Sequence, residues 1–81
     1  EEGPYSIQVG SFQDRAPAVA LAENLRAKGY PAVVRQVDLP GKGVWYRVRV
    51  EGYSERAAAA YVARLLQQEE NLSALVLTGA E

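Results

Sequence analysis

The sequence predicts an α+β fold, a ferredoxin-like split β-α-β-β-α-β arrangement. Its four-stranded antiparallel sheet takes the order 4-1-3-2, with two helices on one face. Three observations predict it. Residues 5–10 and 44–50 alternate apolar with small or polar side chains at period 2, as half-buried strands do. Residues 15–28 and 55–69 carry apolar side chains at helical spacing. A Pro- and Gly-rich turn at residues 39–43 joins two β-branched runs, as in a hairpin.

In the first strand Tyr5, Ile7 and Val9 point to one face and Ser6, Gln8 and Gly10 to the other. Asp14 is placed to cap the first helix, and Pro17 sits in its first turn, where a missing N–H costs little. Ala18, Leu21, Ala22 and Leu25 form its apolar stripe, and Gly29 suits the left-handed position after its end. Residues 32–37 read as the second strand. In the third, Val44, Tyr46, Val48 and Val50 face one way, and Trp45, Arg47 and Arg49 the other. Ser54 is expected to cap the second helix, with Ala58, Tyr61, Val62, Leu65 and Leu66 inward and Asn71 at its end. Residues 72–77 read as the fourth strand.

Eighty-one residues suffice for one domain with one core. Residues 5–78 are expected to form it, with 1–4 the remnant of a polar linker from a longer protein and 79–81 a tail. The apolar fraction of 48% against 23% charged is ordinary for a globular protein. The net charge of −1 weighs against a nucleic-acid partner, which calls for a basic excess. With no Cys, His or Met, these residues supply no thiol nucleophile, no histidine base, no zinc site and no disulfide. No apolar stretch approaches the roughly 20 residues that cross a bilayer, so no membrane contact is expected. No cofactor is expected either, and the domain is expected to be a monomer.

Helices on one side leave the other face of the sheet open. Alternation places Ser6, Gln8, Val33, Arg35, Trp45, Arg47, Arg49, Leu75 and Leu77 there. Arginines on a solvated face are ordinary, but an exposed tryptophan beside aliphatics marks a contact surface. Trp45 offers a wide ring for sugar C–H faces or bases, Gln8 a donor and an acceptor, and Arg47 a fork matched to carboxylates.

Tyr5-Ser6-Ile7-Gln8-Val9-Gly10-Ser11-Phe12 resembles the opening motif of SPOR domains. The likeness runs through Ala18, Leu21, Leu25 and Gly29-Tyr30-Pro31-Ala32, resumes at Trp45-Tyr46-Arg47-Val48-Arg49-Val50 and Tyr53, and ends near residue 77. The resemblance implies a non-catalytic module that binds septal peptidoglycan and prefers glycan strands stripped of stem peptides. It implies a place in the bacterial envelope, at the septum or cell wall. The family's glycan-contacting positions fall on Gln8, Ser11, Trp45, Arg47 and Leu75, with Ser6, Val33, Arg35 and Arg49 peripheral. Alternation by itself leaves Ser11 out, as a strand end. The chain departs from the family pattern twice. Some members pair cysteines at the positions of Val9 and Ala74, absent here, and the usual Val-Gly-Pro-aromatic turn becomes Val50-Glu51-Gly52-Tyr53.

Three other readings compete. An RNA-binding module of this topology stacks bases on aromatics of strands one and three, but strand one offers Ser6 and Gln8. An acyl-phosphate hydrolase needs an anion-cradling loop, for which residues 10–15 are poor, and Glu51 and Glu55 read as surface acids beside a helix start. A protein-interaction module using the same apolar patch stays open.

Overall fold

The computed structural model describes residues 3–79. The elements follow the predicted order: β1 (Tyr5–Phe12), α1 (Arg15–Ala27), β2 (Ala32–Leu39), β3 (Gly43–Tyr53), α2 (Arg56–Glu69) and β4 (Leu75–Thr78). All neighbouring strands are antiparallel, in the order β2-β3-β1-β4. Residues 1, 2, 80 and 81, the outer parts of the expected linker and tail, lie outside the described residues. Where the two segments meet the domain, the Gly79 N–H donates to the Pro4 carbonyl at 2.7 Å.

One core lies between the sheet and the helices. Ile7, Val9, Val48 and Val50 from the sheet meet Ala18, Ala22 and Leu25 of α1 and Ala59, Ala63 and Leu66 of α2. α1 covers β2 and β3 and reaches β1, while α2 covers β1 and β4. Both helices present small residues to the sheet, which lets their backbones lie close and leaves Leu25 and Leu66 as the large anchors.

The α1 end shows why Gly29 is needed. The Tyr30 N–H donates to the Leu25 carbonyl and the Gly29 N–H to the Arg26 carbonyl, each at 3.0 Å. This Schellman pattern requires the left-handed backbone that Gly29 adopts, φ 97°. No atom lies within 4 Å of a Cβ built at that position, so alanine meets only the conformational cost. Gly29→Ala is expected to lower stability by roughly 1 kcal/mol, read from urea unfolding midpoints at unchanged slope. At the opposite end of α1, Asp14 is the extended N-cap residue but makes no side-chain capping bond.

The structure corrects four expectations about the elements themselves. The inward stripe of α2 is Ala59, Ala63 and Leu66, with Val62 half-buried, whereas Ala58 is exposed and Tyr61 is 60% exposed. Residues 58, 61, 62 and 65 and residues 59, 62, 63 and 66 have the same helical spacing, and close approach to the sheet selects the alanine-lined face. The N-cap of α2 is Glu55, because β3 runs on to Tyr53 and the turn takes up Ser54 as well. β4 begins at Leu75 instead of residue 72, and its pairing with β1 ends where Leu75 meets Gln8, just before the irregularity at Val9. Leu72 and Ala74 instead pack against the core from the connecting segment.

The fourth correction concerns β1. Gln8 pairs with Arg49 and Gly10 with Val48, so Val9 is an extra residue, a β-bulge. Gly10 therefore faces the helices, not the open side. A Cβ there would stand 2.9 Å from Phe12 Cε2 and 3.2 Å from Leu21 Cδ2. Both Val9 and Gly10 turn inward, and every residue after the bulge changes face.

Candidate ligand-binding face

Residues directly opposite each other in antiparallel strands share a face, so the pairing orders the open side into rows. The first row holds Val37 and Trp45, and the second Arg35, Arg47 and Ser11. The third runs across the whole sheet as Val33, Arg49, Gln8 and Leu75. A fourth holds Glu51, Ser6 and Leu77.

The bulge brings Ser11 into the second row. Alternation from Gln8 would turn Ser11 toward the helices, but the extra residue at Val9 sets it beside Arg47. No local signal in β1 reports this shift, since the bulge exists only relative to β3.

Trp45 is half-buried near the hairpin, and its indole Nε1–H donates to the Lys42 carbonyl at 3.3 Å. That bond holds one edge of the ring. Gly41 and Gly43 in this hairpin both have positive φ, as its composition predicts. Arg47 is half-buried, and its Nε is buried without a hydrogen-bond partner among the described residues. A ligand oxygen reaching that donor would remove the cost of leaving it unpaired.

Arg49 is only 3% exposed although it lies at the middle of the open face. Val33 and Gln8 flank it, and its Nη2 donates to Gln8 Oε1 at a long 3.4 Å. The contact assigns the Gln8 oxygen to Arg49 and turns the amide NH2 to other acceptors. Ser6 is likewise covered, at 6% exposure, between Glu51 and Leu77. Leu75 is the opposite case, 59% exposed beside Gln8. The accessible face thus comprises Trp45, Arg47, Ser11, Gln8 and Leu75, with Val33 and Arg35 toward the β2 edge.

Glu51 was expected to be a plain surface acid and is part of this face. Its carboxylate accepts from Arg35 Nε at 2.9 Å and from Arg35 Nη2 at 2.6 Å, a bidentate pair. The Arg35 hydrogen bond, aided by the charges of Arg35 and Arg49, holds the Glu51 carboxyl below the ordinary glutamate range against the opposing effect of burial. Carrying the Trp45–Arg47–Arg49 alternation one step further along β3 reaches Glu51, so the signal was present in the sequence. The face therefore carries three arginines and one glutamate on a chain whose net charge is −1.

The SPOR-domain family model matches residues 1–78. The chain belongs to the SPOR-domain family. Among solved structures, this SPOR domain is similar to the peptidoglycan-binding domain of the B. subtilis cell wall lytic enzyme CwlC, determined in solution. The two are 29% identical with a TM-score of 0.74, covering 99% of this chain and 94% of that one. No curated protein matches. The family and the β-α-β-β-α-β fold expected from the opening motif and the Trp45–Arg47 strand are both borne out.

Proposed function

We propose that this SPOR domain binds peptidoglycan through the open face of its sheet, and that it prefers glycan strands lacking stem peptides. The observation that carries this reading is the grouping of Trp45, Arg47, Ser11, Gln8 and Leu75 on one uncovered surface. Each supplies something a denuded glycan needs. Trp45 stacks on a sugar face, and Leu75 extends the apolar contact. Gln8 and Ser11 bond hydroxyl or N-acetyl groups. Removal of a stem peptide frees the lactyl carboxylate of muramic acid, and Arg47 receives it.

Support comes from the family and from the CwlC domain, whose description is peptidoglycan binding. Arg35 and Arg49 lie beside Arg47, and in the free protein Glu51 and Gln8 engage them. In this reading the domain works as a monomer without catalysing a reaction, and carries its parent protein to the division septum or another part of the cell wall. No helix among the described residues is long and apolar enough to cross a membrane.

Retention on purified sacculi tests the preference. Sacculi treated with an amidase, which strips stem peptides, are expected to retain several-fold more of the domain than untreated sacculi. Equal retention on both would sink the denuded-strand preference, and retention on neither would sink peptidoglycan binding itself.

A further inference from the structure

An open groove of about 550 Å³ lies at the free edge of β2. Its lining includes Arg26 of α1, Pro31 before β2, Val33 and Arg35 of β2, and Glu51 of β3. Val33 and Arg35 also belong to the rows of the open face, so groove and face are continuous. Arg26 is held at the groove by Nη1, which donates to the Ala32 carbonyl at 2.8 Å. Arg35 turns Nε and Nη2 to the Glu51 carboxylate. Arg26, Arg35 and Glu51 thus line one groove, and within it the Glu51 carboxylate is engaged by Arg35.

We infer that this groove is a second carboxylate subsite, for the acid group of a sugar lying across the open face, and that Glu51 occupies it as an internal competitor. The inference rests on the glycan reading above and adds a place and a control to it. An arginine fork that accepts Glu51 in a bidentate pair accepts a lactyl carboxylate in the same geometry. The exchange is accessible because the Arg35 side chain is more than half exposed, and exposed ion pairs are weak. Arg26 lines the same groove from the helix side and adds positive charge to its wall. Apolar surface from Pro31 and Val33 suits the methyl and ring carbons beside the acid.

The test follows ¹⁵N-labelled protein by NMR, including the arginine Nε–H signals, during titration with N-acetylmuramic acid, N-acetylglucosamine and acetate. Glu51→Gln is expected to bind N-acetylmuramic acid about tenfold more tightly than the wild type, the gain of one charge-assisted contact. Its affinity for neutral N-acetylglucosamine stays unchanged. Adding Arg26→Met to Glu51→Gln is expected to reverse most of the gain. Unchanged or weaker binding of the acid by Glu51→Gln, or an equal gain for both sugars, overturns the subsite. If neither monosaccharide binds any of these proteins, retention on sacculi decides the glycan reading and acetate decides the subsite by itself. Saturable acetate shifts at Arg26 and Arg35 in Glu51→Gln then support it, and none overturns it.

Discussion

Trp45→Ala is expected to fold as the wild type does and to lose at least about tenfold in affinity for denuded glycan strands. The ring is half-buried on the open face and contributes nothing to the buried core between sheet and helices. Its one hydrogen bond, from Nε1 to the Lys42 carbonyl, lies in an exposed hairpin where water replaces it. Folding is therefore little affected. Binding is another matter, because a tryptophan that stacks on a ligand in a contact surface commonly carries about 2 kcal/mol or more, beyond a tenfold change. Equilibrium binding to glycan fragments, with a heteronuclear NMR spectrum as the check on folding, measures both halves. A folded variant with wild-type affinity removes Trp45 from the site. Trp45→Phe, which keeps a smaller ring, is expected to retain part of the affinity.

The second large effect falls on stability. Leu66→Ala is expected to cost about 2–5 kcal/mol. Leu66 is fully buried, and the other buried side chains of α2 are Ala59 and Ala63. Truncating Leu66 therefore removes the large anchor that holds α2 over β1 and β4. A domain of 81 residues has a total stability of about 4–12 kcal/mol, so a large share is at stake. The end of α2 also turns on this residue, whose carbonyl accepts from the N–H groups of Glu70 at 3.1 Å and Leu72 at 3.3 Å. Those bonds are to the backbone and survive the substitution, which confines the loss to packing. Thermal unfolding is expected to show a melting temperature lower by more than about 10 °C. A drop of only two or three degrees would mean that α2 settles into the vacated space. Tyr61→Ala on the same helix, where the ring is largely exposed, is the matched control and changes little.

Much of this was legible in the residues alone. The order of elements, the strand faces in β3 and the α1 stripe follow from period 2 and period 3.6, which are properties of a single segment. Trp45, Arg47, Gln8 and Leu75 were therefore placed on the open side by alternation. Glu51 was equally within reach, one step along the same strand.

Other features needed a partner. The two candidate stripes of α2 satisfy the same spacing, and contact with the sheet chose Ala59, Ala63 and Leu66 over Ala58 and Tyr61. The burial of Arg49 depends on flanking side chains from two other strands. The bulge at Val9 is a mismatch between β1 and β3 and has no meaning for either strand by itself. What the sequence by itself determined was an uncovered sheet face with Trp45, Arg47 and Gln8 on it, because side-chain direction in a strand is a local property. Tertiary structure decided that Ser11 joins Arg47 there while Gly10 turns inward, and that Glu51 reaches back to Arg35. Register and side-chain reach between strands are settled only when the strands pair.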